Sequence, residues 1–190
     1  MSLSLNEKLC QAQHSQLLII DIQERLSSAM PTDILKNVIN NNRVLIQAAN
    51  ELKIPVNYSE QYPKGLGHTV SEISEELTVP NLSFTKTCFA CSEEEGFNEL
   101  ISRHKRQQVI ITGIESHICV LQTAIQLQRQ GYAVYVVEDA VCSRKKIHHD
   151  NGIARLRQNG AVITNVESVL FEWLRNAKHP SFKKLSALIK

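Results

Sequence analysis

Six short aliphatic runs, at residues 17–20, 54–58, 83–85, 109–112, 133–137 and 161–164, punctuate this chain, and longer stretches of helical periodicity separate them. Several of these runs are apolar at successive rather than alternate positions. That pattern suits strands covered on both faces, which is the situation in a parallel sheet flanked by helices. Thr32 reads as the cap of a helix reaching Leu52, with Ile34, Leu35, Val38, Ile39, Leu45, Ile46 and Ala49 as its apolar stripe; residues 93–104 and 117–130 read similarly. Gly131 and Gly160 follow helical segments, where a left-handed residue ends a helix. Strand and helix thus alternate about six times, as in right-handed βαβ units. The expected fold is α/β: a three-layer, doubly wound sheet of six parallel strands in the order 3-2-1-4-5-6.

The 190 residues suit a single domain spanning 1–190, and 43% hydrophobic against 21% charged residues provides for a sizeable core. A net charge of +2, from 21 basic and 19 acidic residues, leaves no dominant footprint for nucleic acid and makes small neutral or weakly charged ligands equally plausible; a small-molecule substrate is the expected partner. Five cysteines form an odd set without a disulfide-framework spacing, which points to a reducing, cytoplasmic setting. The N-terminus has no basic segment followed by an apolar core, and no apolar stretch approaches the roughly 18 residues of a membrane span. The segment from Lys178 through Pro180 to Lys190 reads as a short amphipathic helix docked on the body or on a partner subunit.

Three ionisable residues fall at strand ends. Asp21 closes the first run, Lys86 the third, and Cys119 follows the fourth within Gly113-Ile-Glu-Ser-His-Ile-Cys119. Carboxyl ends of parallel strands form the ligand crevice of such sheets. At the start of a helix, the positive end of the dipole and a nearby cation draw a thiol toward thiolate, below its free pKa of about 8.5. Each residue also has a plainer role: a turn-capping carboxylate, a solvated lysine, a small buried thiol. The turn-rich stretch Glu60-Gln-Tyr-Pro-Lys-Gly-Leu-Gly-His68 follows the second strand, where ligand loops emerge.

Together, Ile20-Asp21-Ile-Gln23, Thr85-Lys86-Thr87-Cys-Phe89 and Thr112-Gly-Ile-Glu-Ser-His-Ile-Cys119-Val resemble the isochorismatase-like superfamily of cysteine hydrolases over nearly the whole chain. Glu60-Gln-Tyr-Pro-Lys-Gly-Leu-Gly67, Gly113-Ile-Glu115 and His179-Pro-Ser-Phe-Lys narrow the likeness to the isochorismatase-domain-containing branch. The resemblance implies a catalytic triad of Asp21, Lys86 and Cys119. It also implies an oxyanion hole made by the backbone N–H groups of Glu115 and Cys119, and a cis peptide between Ile114 and Glu115. Asp21 would act as base and then acid, Lys86 would balance charge and orient Asp21, and Cys119 would attack a carbonyl to form a thioester.

Metal-dependent members of the superfamily carry Asp-x-His after the second strand. Here that region reads Tyr58-Ser-Glu-Gln-Tyr62, so neither a metal nor any other cofactor is expected. His148 and His149 read as surface residues with diverging side chains, and Cys88-Phe-Ala-Cys91 as structural thiols despite a redox-like spacing. Glu115 stands where many amidases of the superfamily have a small residue. Close to Cys119 its carboxylate would oppose thiolate formation, so it either turns away to pair with a base or selects an amine-bearing substrate. The expected function is a cysteine-dependent hydrolase of a small amide, ureido or carbamoyl C–N bond, as a homo-oligomer. The alternatives are a binding or scaffold protein with little turnover, and an RNA-acting protein.

Overall fold

The computed structural model describes residues 8–77 and 82–189; residues 1–7, read above for a leader, and Lys190 lie outside them. Among the described residues the strands are β1 (Ser15–Ile20), β2 (Val56–Gln61), β3 (Leu82–Lys86), β4 (Gln108–Ile114), β5 (Ala133–Cys142) and β6 (Val162–Thr164). All neighbours pair in parallel, in the order β3-β2-β1-β4-β5-β6, as the alternating pattern predicts. The helices are α1 (Glu24–Ser28), α2 (Thr32–Glu51), α3 (Pro63–Leu66), α4 (Ser71–Ser74), α5 (Phe97–Ser102), α6 (Leu121–Arg129), α7 (Lys146–Gln158), α8 (Val166–Leu174) and α9 (Phe182–Ser186).

Alternate residues of each central strand feed two cores. Leu17 and Ile19 of β1, Ile110 of β4, and Tyr135 and Val137 of β5 face α2, α8 and α9. Their chain neighbours Leu18, Ile20, Val109, Ile111, Val134 and Val136 face α5, α6 and α7. Every residue of β1 and β4 is therefore buried, which is why these runs are apolar at successive positions. Each fully buried Leu or Ile contributes about 1.5–3 kcal/mol, so the two layers fix the sheet that carries the strand ends.

Several local expectations are corrected. Thr32 is the first helical residue of α2 and its side chain makes no capping bond; the Pro31 carbonyl instead accepts the Leu35 N–H at 2.9 Å. The expected helix over 93–104 shrinks to a 3₁₀ turn, Cys91–Glu93, and α5, because Gly96 at φ 83° interrupts the helical path. Strand β5 continues past residue 137 with Glu138 and Asp139 exposed, and its pairing with β4 shifts register between Ile111 and Gly113. Helix α8 escapes a periodicity search because it is only nine residues long; Asn165 caps it by accepting the Ser168 N–H at 2.8 Å. The C-terminal segment folds as α9 and a 3₁₀ turn, Ala187–Ile189, with Leu185 buried in the α2 and α8 core.

Candidate active site

Strands β1, β3 and β4 end at one edge of the sheet, and the structure brings Asp21, Lys86 and Cys119 together there. Asp21 leaves β1 in a left-handed conformation, φ 52°, which aspartate tolerates better than most residues, and it is fully buried. Its carboxylate is held on both oxygens. Ser59 of β2 donates its hydroxyl to Oδ1 at 2.7 Å, and Lys86 Nζ lies 2.7 Å from Oδ2.

Lys86 is 1% exposed, so its ammonium depends wholly on protein partners. Besides Asp21 it donates to Gln61 Oε1 at 2.6 Å and to the carbonyls of Cys88 and Phe89 at 3.3 and 3.2 Å. Burial is the largest single influence and disfavours the charged lysine, but the attraction of Asp21 together with that of Cys91 and Cys119 exceeds it, and the net effect holds the ammonium above its usual range. Gln61 is fixed in turn, donating Nε2 to the Thr87 carbonyl at 2.8 Å and its N–H to Gln23 Oε1 at 2.7 Å. Gln23 also donates to the carbonyls of Gln61 and Gly67, and Glu60 accepts from the Thr69 N–H and hydroxyl. The turn-rich stretch after β2 is thereby tied down as a rim.

Cys119 lies in a single π-helical turn, Ser116–Val120, that opens α6. Such turns recur at functional sites because they re-aim one side chain. The Glu115 carbonyl accepts from the N–H groups of Ile118 and Val120, bracketing Cys119. The thiol is 6% exposed and close enough to Asp21 to feel its charge. Burial first, and then the Asp21 carboxylate, push its pKa up to about 12, with Lys86 opposing only in part. The expectation of a resting thiolate is therefore corrected: Lys86 is committed to Asp21, and the thiol keeps its proton.

Gly113, at the end of β4, has φ 113°, and a Cβ there would fall 2.0 Å from the Ile20 carbonyl oxygen, so only glycine lets β1 and β4 approach this closely. The peptide between Ile114 and Glu115 is cis. The Glu115 side chain turns away from Cys119 to Arg144, beyond the end of β5. Its carboxylate accepts the Arg144 N–H at 2.9 Å and lies 3.1–3.2 Å from Nε. Behind the π turn, Ser116 and Ser143 share a hydrogen bond of 2.6 Å. His149 Nδ1 is 3.2 Å from Ser116, and His117 Nδ1 is 2.9 Å from Ser143. His148 stacks on His117, so the adjacent histidines diverge as expected but both brace this turn. A cleft of about 500 Å³ between α2 and α7, lined by Val38, Glu138, Ser143 and His149 among others, adjoins the brace and does not include the three strand-end residues.

Sequence reasoning missed Ser59, Gln61 and Arg144. Ser59 and Gln61 are two residues apart on β2 and share a face, the signal that could have found them. A doubly wound sheet with a buried carboxylate, ammonium and thiol at its carboxyl edge defines the class of cysteine-centred α/β folds. The Isochorismatase domain model matches residues 15–168, and the chain belongs to the isochorismatase family, within the isochorismatase-domain-containing branch. Isochorismatase domain-containing protein 2 of Danio rerio is 40% identical over 176 residues, covering 92% of this chain and 86% of its own. The MAR1 ribonuclease structure from Caenorhabditis elegans superposes with a TM-score of 0.89 at 36% identity, covering 95% of this chain and 92% of that one. The YcaC gene product of Escherichia coli, described as an octameric hydrolase of unknown specificity, superposes with a TM-score of 0.88 at 21% identity, covering 100% and 91%; at that identity it shows the fold alone. Family membership supports hydrolase activity.

Proposed function

We propose that the chain is a cysteine hydrolase that cleaves the C–N bond of a small amide, ureido or carbamoyl compound through a thioester. The observation that carries this reading is the buried Asp21 carboxylate, paired with the Lys86 ammonium and acting on the charge of the nearby Cys119 thiol. Because the thiol is protonated at rest, Asp21 removes its proton as Cys119 Sγ attacks the carbonyl carbon. The oxyanion is received by the N–H groups of Glu115 and Cys119. Asp21 then returns the proton to the departing amine, and the thioester remains. Water, deprotonated by Asp21, attacks the thioester, and the proton passes to the leaving sulfur. Lys86 holds Asp21 in place throughout, since its ion pair with Asp21 and its bonds to Gln61, Cys88 and Phe89 fix the ammonium inward.

The same reading takes the whole of residues 1–190 as one hydrolase domain and includes a homo-oligomer. All five cysteines are free thiols, which suits the cytoplasm, and no helix among the described residues is long and apolar enough to cross a membrane. RNA cleavage is a second reading, favoured by the ribonuclease named for the C. elegans relative. A panel of small amides, ureides and carbamates, with a single-stranded RNA alongside, tests both against Cys119→Ala. Amine or ammonia release by the wild type that Cys119→Ala abolishes supports the proposal. RNA cleavage that survives Cys119→Ala, with no amide turned over, refutes it.

A further inference from the structure

Cys91 is a fully buried thiol for which the proposed hydrolysis has no use. The 3₁₀ turn that begins with it presses against α6, and its backbone N–H donates to Thr123 Oγ1 at 3.0 Å. Thr123 stands four residues after Cys119, about one turn further along the same helical run. On its other side Cys91 Sγ is 3.9 Å from Ser59 Oγ, the hydroxyl that holds Asp21 at 2.7 Å. Two thiols thus flank one carboxylate. Cys88, its partner in the C-x-x-C spacing, goes elsewhere: half-buried, its sulfur lies 3.8 Å from the Glu93 carbonyl.

We propose that Cys91 is a resolving thiol, which closes a disulfide with Cys119 after a hydroperoxide has oxidised Cys119. In the first step the Cys119 proton passes to Asp21 and the sulfur attacks an oxygen of the peroxide. The O–O bond breaks, the S–O bond of a sulfenic acid forms, and the departing oxygen leaves as alcohol or water with the proton from Asp21. Sulfur is oxidised by two electrons and the peroxide is reduced by two. In the second step Cys91 Sγ attacks the sulfenic sulfur, the S–O bond breaks, and water departs with the Cys91 proton. Burial and the neighbouring carboxylate raise both thiols to about 12, so Asp21 is needed as the base. This inference shares with the proposed hydrolysis the assignment of Cys119 as the reacting thiol and of Asp21 as its proton acceptor.

The test is peroxide treatment of the full chain, alkylation, and peptide mapping by mass spectrometry without reduction. The expected product is a linked peptide pair joining Cys91 to Cys119, with two fewer alkylatable thiols than the five of the reduced chain, all restored by dithiothreitol. In Cys91→Ser the same treatment carries Cys119 to sulfinic acid, which dithiothreitol does not reverse. A Cys88–Cys91 link, or wild-type Cys119 oxidised to sulfinic acid while Cys91 remains free, overturns the proposal. The wild-type map alone decides it should the variant not fold. Since mass rather than turnover is read, an absence of amide hydrolysis would refute the proposed function without touching this result.

Discussion

Replacing Lys86 with Met removes the charge but keeps most of the buried stem, and so isolates what the ammonium does. Unit charges 2.7 Å apart at an effective dielectric of about 20 attract by about 6 kcal/mol. Desolvation cancels part of this, and breaking a buried pair from one side costs about 3–5 kcal/mol because the remaining charge is stranded. Lys86→Met and Asp21→Asn should therefore each lose about 3–5 kcal/mol. The double variant, with neither charge stranded, should lose less than the summed singles by roughly 2 kcal/mol or more. Urea unfolding at pH 7 with linear extrapolation measures all four proteins. The sign with pH is also fixed: Asp21 raises the folded pKa of Lys86, so the pair's contribution is full below the unfolded value of about 10.4 and is lost as pH rises through the raised folded value. Additivity of the two substitutions within about 0.5 kcal/mol would refute the reasoning, since it would mean that the two groups do not feel one another.

Three further outcomes follow from the same geometry. Limited iodoacetamide labelling near pH 7 should modify half-buried Cys88 before Cys119, because burial and Asp21 keep the Cys119 thiol protonated; peptide mass spectrometry reads the order, and Cys119 labelled first would restore a resting thiolate. Burial raises Cys91, Cys119 and Cys142 from 9.0 to about 12, so the stability each lends by keeping its proton is full below pH 9 and falls as pH rises from there toward 12, by up to about 1.4 kcal/mol per pH unit per thiol. Melting temperatures from pH 8 to 10.5 check this, and a flat profile would contradict it. Ser59→Ala removes a 2.7 Å bond to a carboxylate, a loss of about 1.5–3 kcal/mol, and should lower kcat with KM little changed; an unchanged kcat in amide hydrolysis would show that Lys86 alone orients Asp21.

What the sequence disclosed divides along physical lines. Strands β1 and β4 were legible because burial on both faces gives each a run of successive apolar residues, 17–20 and 109–111, and Asp21, Lys86 and Cys119 because each falls at or shortly after the end of a strand. Ser59 and Gln61 were passed over because a hydroxyl and an amide in a half-polar strand look like ordinary surface, and only the pairing of β2 with β1 and β3 turns them onto Asp21 and Lys86. Arg144 is 29 residues from Glu115 in the chain, and the register shift in β5 that delivers it leaves no local trace. The Cys119 thiol was misjudged for a related reason. Placement at a helix start can be read from sequence, whereas the depth of burial and the nearness of Asp21 belong to the tertiary structure.

The close approach of Ile20 to Gly113 has one more consequence. It lies on the border between β1 and β4, where chain order in the sheet reverses. The Asp21 carboxylate and the Lys86 ammonium both come from before that border, at the ends of β1 and β3; the Cys119 thiol and the oxyanion donors proposed above come from after it. A cut in the connection at residues 103–107, between α5 and β4, would therefore separate two inert pieces, each with one half of the chemistry. Turnover would return only when the pieces re-form that single strand-to-strand border, which makes the enzyme its own split reporter for assembly of the sheet.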